Sequence, residues 1–264
     1  MVKVGGSVRT GAVLDDVAAF TEEGARVVLV HGGGGEVDRL AARLGMPART
    51  LTSPDGTRGR RTDPETLDVV AMALLGRVKP ALVEGLRARG VTAAGLCGAD
   101  GAMVTAERKR ALRSVEDGRV RVVRDDRSGR ITGVRPEALR ALLAADMVPV
   151  VSPPAASEDG APLNVDSDHV AARIASALPA ASLALLTDMP GVLRDPGDPS
   201  SLLRAIDGQR DEADGRMRHK VRAALDARRY VPRVAIASAH SAHPLRDALN
   251  GGGTVVTTSP GEDI

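Results

Sequence analysis

Short apolar runs recur along the chain at 27–30, 148–151, 183–186, 234–237 and 254–257. They are β-branched or leucine-rich and apolar on both faces. Central parallel strands covered by helices on either side have that pattern. Between them, apolar positions at helical spacing predict helices near 13–23, 37–44, 136–143, 169–177 and 217–228. The best-marked helix opens at Asp63-Pro64, with an acidic cap followed by proline at the first helical position. Its apolar stripe continues through Leu67, Val70, Ala71, Leu74, Leu75 and Val78. Strand–helix–strand order predicts an α/β protein, a three-layer αβα sandwich on a mainly parallel central sheet. No internal repeat or low-complexity linker interrupts it. The Pro/Asp/Ser-rich stretch 195–201 reads as a surface turn.

One stretch departs from this pattern. Residues 102–134 hold alternating segments at 103–106, 119–123 and 130–134, separated by Asp117-Gly118 and Ser128-Gly129. Alternation with such turns predicts an antiparallel hairpin excursion at the sheet edge. Residues 107–130 contain nine Lys or Arg and five Asp or Glu, a local charge of +4 against +2 for the whole chain. A solvated hairpin face is the plain reading of that charge. A docking surface for an acidic partner is the sharper one.

Composition narrows the function. A chain of 264 residues suffices for one large domain or two small ones. The single cysteine, Cys97, excludes an internal disulfide and fits a reducing cytoplasm. No signal peptide is evident and no apolar run has the length of a membrane span. Phe20 and Tyr230 are the only aromatics, so stacking of nucleic-acid bases is not expected. The small net charge gives nucleic acid no separate reason to bind.

The chemistry concentrates at two strand-to-glycine junctions. Lys3-Val4-Gly5-Gly6-Ser7 opens the chain, and His31-Gly32-Gly33-Gly34-Gly35 follows the run 27–30. Glycines let backbone N–H groups approach an anion, and a following helix N-terminus adds a favourable dipole. A lysine beside such a loop supplies the point charge that phosphoryl transfer needs. Neither loop is a Walker A, because no Gly-x4-Gly-Lys-Ser/Thr occurs. The second is not a dinucleotide fingerprint, since Val37 takes its third glycine position. Asn164-Val165-Asp166-Ser167-Asp168 opens a helix. Its acids suit a metal, lysine orientation or a plain helix cap. Thr187-Asp188-Met189-Pro190-Gly191-Val192 ends a buried strand in a turn, where ligands bind in open α/β sheets. Lys220, read alone, is a solvated helix lysine.

Together these segments resemble the amino acid kinase family, in its acetylglutamate kinase branch. The resemblance rests on Lys3-x-Gly5-Gly6, His31-Gly32-Gly33-Gly34, Arg60-x-Thr62-Asp63, Asn164-x-Asp166-x-Asp168, Thr187-Asp188-x-x-Gly191-Val192 and Gly215-x-Met217-x-x-Lys220. The stretch Thr52-Ser53-Pro54-x-Gly56-x-Arg58-x-Arg60-x-Thr62-Asp63-x-Glu65-Thr66-Leu67 is similar to the subgroup that phosphorylates aminoadipate or glutamate on a small acidic carrier of the LysW type. Arg61 and Gly59 depart from that subgroup, which commonly has an aromatic residue and a serine there.

The resemblance implies an ATP-dependent kinase that makes an acyl phosphate in lysine- or arginine-type amino acid biosynthesis. Lys3 and Lys220 would neutralise the phosphoryl group in flight, and Asp168 would hold both. Gly33 and Gly34 would meet the acceptor, with Arg60 and Asn164 gripping its backbone end. Gly5, Gly6, Ser7, Thr187, Asp188, Gly191 and Val192 would hold ATP. Residues 1–178 would form the acceptor lobe and 179–264 the ATP lobe. Mg2+ would bridge the ATP phosphates, with no dedicated metal site in the protein. Arg108, Lys109, Arg110, Arg119, Arg121 and Arg124 would face the acidic carrier. A cytoplasmic homodimer, partly through the 67–78 stripe, completes the expectation. The stripe equally suits packing on the protomer's own sheet. Free N-acetyl-L-glutamate as acceptor, or a non-catalytic regulatory binder, are the competing readings. Intact Lys3, Asp168 and Lys220 argue against the binder.

Overall fold

Along the chain, β1 (Val2–Val4) leads to α1 (Gly11–Glu22) and β2 (Leu29–His31) to α2 (Gly34–Arg43). The short pair β3 (Thr50–Thr52) and β4 (Arg58–Arg60) precedes α3 (Pro64–Ala73). A π-helical turn, Leu74–Val78, joins α3 to α4 (Lys79–Arg87). Then come β5 (Ala93–Gly98), β6 (Val104–Arg108), β7 (Leu112–Glu116), β8 (Arg119–Val123), β9 (Gly129–Val134) and α5 (Glu137–Ala144). The rest is β10 (Val148–Ala155), α6 (Ser167–Ala177), β11 (Ser182–Thr187), β12 (Ala205–Ile206), α7 (Gly215–Arg228), β13 (Arg233–Ser238), α8 (Pro244–Leu249) and β14 (Thr254–Val256). This computed structural model describes residues 1–6, 8–54, 56, 58–116, 118–208, 213 and 215–257. Ser7, expected at the nucleotide, lies outside the described residues.

Eight strands form one sheet in the order β12-β14-β13-β11-β1-β2-β10-β5. All neighbours are parallel except β13 and β14. Alternation within each strand sends side chains to two separate cores. Val2, Val4, Leu29, Val150 and Leu186 pack with α1, α4 and α8. Val30, Val151, Leu183 and Leu185 pack with α5, α6 and α7. The three-layer αβα sandwich therefore stands as expected.

Several boundaries moved, each for a local reason. The 27–30 run forms strand only at Leu29–His31, although Val27 and Val28 are also buried. β5 was not anticipated, because Ala93–Gly98 is built from small residues with no apolar run. The helical path runs on beyond the stripe traced to Val78, because the π-turn accommodates Pro80, which lacks an N–H to donate. Pro153 and Pro154 sit in a central strand. They fall at the β10 register irregularity between Ser152 and Ala155, where ladder pairing is interrupted. The Asp63 cap is present, with its carboxylate accepting the Thr66 N–H at 2.9 Å.

The stripe on α3 is largely taken up inside the protomer. Leu67 is buried, and Val70, Ala73 and Leu74 pack on Val37 and Ala41 of α2, while Met72 stays 49% exposed. The excursion also differs from a simple meander. β7 pairs with β8, and β6 with β9, as two separate antiparallel ribbons. Ser128-Gly129 is not a hairpin turn: Gly129 begins β9, and Ser128 bridges to Asn164.

Candidate active site

β1, β2, β10 and β11 all point their carboxyl ends at one cleft of about 880 Å³. Ligands bind at that end of open parallel sheets. Lys3 lies between Val2 and Val4, which face α1 and α4, so its side chain turns to the α6 and α7 side. There its Nζ lies 2.6 Å from Asp168 Oδ1. Asp168 stands in the first turn of α6, below an N-cap made by Asp166. That carboxylate accepts the N–H groups of Asp168 and His169 at 2.8 and 3.1 Å. Lys220 reaches across from α7 and donates to both Asp168 oxygens at 2.8 and 2.9 Å. Ala171, Ala172 and Ala175 on α6 and Ala223, Ala224 and Ala227 on α7 are all buried, and their small size lets the two helices approach.

All three charged groups are buried, with Lys3 4%, Asp168 6% and Lys220 6% exposed. Burial opposes ionisation of Asp168, but Lys3 and Lys220 outweigh it and hold the carboxyl below its usual range. Burial, then Lys3, push the Lys220 ammonium down, against the pull of Asp168. Lys3 and Lys220 share Asp168, Asp166 adds a second carboxylate that acts on both lysines, and the two ammoniums line the cleft in a low-dielectric setting. An incoming anion is the natural complement. His169, half-buried at the same cleft, is raised above its ordinary value by its hydrogen bond to Asp166.

The two glycine loops touch. A Cβ on Gly6 would lie 2.5 Å from the Gly34 nitrogen and 2.7 Å from the Gly33 nitrogen, so only glycine fits. Gly33 caps α2, whose first N–H groups open onto the cleft. Below the second loop, His31 is 1% exposed and shares a hydrogen bond between Nδ1 and the Gly32 carbonyl at 2.8 Å. Burial is the main force that lowers its pKa to about 4, helped by Lys79 and Lys3 against that hydrogen bond. The ring is therefore neutral at pH 7, and its Nδ1–H donates to Gly32.

Gly5, Arg60, Asn164, Thr187 and Asp188 also line the cleft. Arg60 is held by Asp38 at 2.7 Å and donates to the Gly34 carbonyl at 3.3 Å. Asn164 Nδ2 donates to Thr62 Oγ1 at 3.1 Å. Thr187 Oγ1 donates to Asp188 Oδ1 at 3.0 Å. Gly191 and Val192 lie apart from these residues. They pack under β14, where the Val192 N–H donates to Thr254 Oγ1 at 2.8 Å. Arg173 and His219 line the cleft without having been anticipated. Arg173 sits one helical turn beyond His169, a spacing legible in the sequence.

The basic patch divides. Lys109 reaches the cleft rim. Arg108 turns inward, donating to the Asp126 and Arg124 carbonyls at 2.9 and 2.8 Å. Lys109, Arg110, Arg119, Arg121 and Arg124 are exposed. In the β7–β8 register, Arg121 shares a face with Ser114, which is buried against β3. The opposite face carries Arg113, Val115, Val120 and Val122, with Val120 58% and Val122 50% exposed. Arg61, the departure from the expected aromatic, donates from Nη2 to both Asp125 carboxylate oxygens at 2.9 and 3.1 Å.

A lysine pair held by one aspartate, beside two interlocked glycine loops at the carboxyl edge of a parallel sheet, defines a phosphoryl-transfer protein. Residues 1–238 match the Amino acid kinase family, and the chain belongs to it. It is a kinase. It is 42% identical to a [LysW]-aminoadipate kinase of Deinococcus radiodurans, over 97% of this chain and 91% of that protein. The corresponding enzyme of Thermus thermophilus is 41% identical, over 97% and 99%. An acetylglutamate kinase of Prochlorococcus marinus is 40% identical, over 78% and 64%. N-acetylglutamate synthase from Neisseria gonorrhoeae superposes with a TM-score of 0.77 at 25% identity, covering 98% of this chain and 59% of that one. Carbamate kinase from Giardia lamblia does so at 0.66 and 16% identity, covering 98% of each. No helix among the described residues is long and apolar enough to cross a membrane.

Proposed function

We propose that this kinase transfers the γ-phosphoryl group of ATP to a side-chain carboxylate of aminoadipate or glutamate held on a small acidic carrier protein. The observation that carries the chemistry is the buried knot of Lys3, Asp168 and Lys220 facing the paired glycine loops. The acceptor carboxylate is already ionised at pH 7, so the reaction needs no general base. A carboxylate oxygen attacks the γ-phosphorus, and the bond to the bridging oxygen breaks. ADP leaves with the electron pair, and no proton moves. The task is to bring two anions together, which positive charge and positioning accomplish.

In this reading Lys3 and Lys220 stabilise charge on the phosphoryl group, and Asp168 fixes their separation. Gly5 and Gly6 present N–H groups to phosphate, Gly33 and Gly34 to the acceptor. Arg60 and Asn164 grip the acceptor's backbone end, an arginine fork suiting a fixed carboxylate better than lysine does. Thr187 and Asp188 mark the nucleotide side, with Gly191 and Val192 supporting it from behind. Residues 1–178 then serve the acceptor and 179–264 the nucleotide. Among the described residues no group of three or more His, Cys, Asp or Glu is placed to hold a metal, and Asp168 is taken by both lysines. Mg2+ would be carried on the ATP phosphates and would supply charge neutralisation there.

Two observations support a carrier-borne acceptor: the names of two relatives 41% and 42% identical to this chain, and the exposed basic and valine-bearing β7–β8 ribbon, which packs on β3. The test offers ATP with carrier-linked aminoadipate, carrier-linked glutamate or free N-acetylglutamate, and traps acyl phosphate with hydroxylamine. Hydroxamate from a carrier-linked acceptor is the expected result. Efficient turnover of N-acetylglutamate with none on the carrier would assign the acetylglutamate reading instead.

A further inference from the structure

Asp126 is 1% exposed and lies in the connection between β8 and β9, outside the residues so far given a role. Both of its carboxylate oxygens are engaged by backbone. Oδ2 accepts the Thr62 N–H at 2.7 Å, and Oδ1 accepts the Ser128 N–H at 2.7 Å. Thr62 is itself fully buried and stands two residues after Arg60.

From this carboxylate a closed set of hydrogen bonds joins three segments distant in sequence. The Arg127 N–H donates to the Thr62 carbonyl at 2.6 Å. The Asn164 N–H donates to the Arg127 carbonyl at 2.9 Å, and the Gly129 N–H to the Asn164 carbonyl at 2.8 Å. Asn164 Nδ2 donates to Thr62 Oγ1, and that hydroxyl donates to the Arg60 carbonyl at 3.3 Å. Arg60 and Asn164 come from segments far apart in sequence, and both line the cleft beside this clip.

We propose that Asp126 is a positioning residue that locks Arg60 and Asn164 into one acceptor-gripping unit. The physical reason is that an ionised carboxylate binds N–H donors more strongly and at shorter range than a neutral group. A buried network of this kind holds one geometry when every member is satisfied. The nucleotide half of the cleft, at Thr187 and Asp188, shares none of these bonds. The effect of losing Asp126 is thus confined to the acceptor. This inference rests on the reading that Arg60 and Asn164 bind the acceptor.

The experiment compares Asp126→Asn and Asp126→Ala with the parent enzyme by measuring separate Michaelis constants for acceptor and ATP. Direct binding of a fluorescent ATP analogue and thermal melting are measured beside them. The acceptor constant should rise ~10-fold or more, with nucleotide binding changed less than ~2-fold. Equal changes in both, tracking the loss in melting temperature, would mean a structural role only and overturn the proposal. Should Asp126→Ala fail to fold, Thr62→Val removes the hydroxyl of the clip and leaves the carboxylate. It should raise the acceptor constant alone, and its effect should not add to that of Asp126→Asn. Arg60→Ala is the control that separates the two readings. An unchanged acceptor constant in Arg60→Ala removes the acceptor assignment itself. A raised constant there, with none in Asp126→Asn or Thr62→Val, removes only the positioning role.

Discussion

Two regions of this molecule are rich in positive charge, and they are built on opposite principles. Lys3 and Lys220 lie almost wholly out of water, fixed by one carboxylate on the first turn of α6. Arg119 stands exposed on the two-stranded β7–β8 ribbon, with Lys109, Arg110 and Arg124 exposed in the segments that flank it. The buried pair is few in number, desolvated and rigid, so each charge acts strongly over a short range. The ribbon's charges are many, hydrated and screened, so each contributes little locally and all act together at a distance. The first arrangement suits a transition state. The second suits an encounter with a large acidic partner.

The sharpest way to break this comparison is to remove the knot. Lys3→Ala and Lys220→Ala should each lower turnover by at least ~100-fold while nucleotide binding weakens far less. Asp168→Asn removes the carboxylate that both buried ammoniums share and should cost about 3 kcal/mol or more of stability in urea unfolding. Near-normal turnover in either lysine variant would end that lysine's assignment.

His31 offers a test of how dry the floor below the glycine loops is. Its pKa lies near 4, lowered chiefly by burial, against about 6.5 for an exposed histidine. Between those values the unfolded chain binds a proton that the folded protein refuses. Stability should thus fall as pH drops through that window, by up to about 3 kcal/mol from this group, and then level off. His31→Asn, which keeps a donor for Gly32, should flatten that acid limb in urea midpoints measured across the window. Identical pH slopes in parent and variant would show that His31 is not the group responsible.

Arg60 stands between the two regions in exposure, its guanidinium partly buried and held by Asp38. Arg60→Ala should raise the acceptor's Michaelis constant by the equivalent of about 1.5–3 kcal/mol. No change would move the acceptor to another wall of the cleft.

The smallest effect belongs to the ribbon. Reversing Arg119 and Arg124 together should lower kcat/KM for a carrier-linked acceptor several-fold at low salt. The difference should vanish as salt shortens the Debye length below about 10 Å. Stopped-flow or steady-state rates at two ionic strengths check this. A salt-independent difference would point to direct contact in place of steering.

Much of this protein was legible in advance where chemistry is local. The Asp63 cap with Pro64, the alternation in residues 102–134 and the glycine pairs after two strands each follow from what a few neighbouring residues do. Ala93–Gly98 was not legible as a strand, because small residues carry no apolar signal until neighbours cover them. Nor was the true pairing of the excursion, which depends on Asn164 reaching Ser128 from across the chain.

The candidate site divides in the same way. Sequence by itself determined the parts: lysines beside glycine loops, carboxylates at a helix start, an arginine before Thr62. Their types were readable because each type has a narrow chemistry. Only the tertiary structure decided that Lys220, on its face an ordinary helix lysine, is buried and shares Asp168 with Lys3. It alone decided that Arg108 turns inward and that Asp126 ties Thr62 to Ser128, distant in sequence. The reason is that burial and pairing are properties of segments brought together over long sequence distances, and no local pattern records which charges will lose their water.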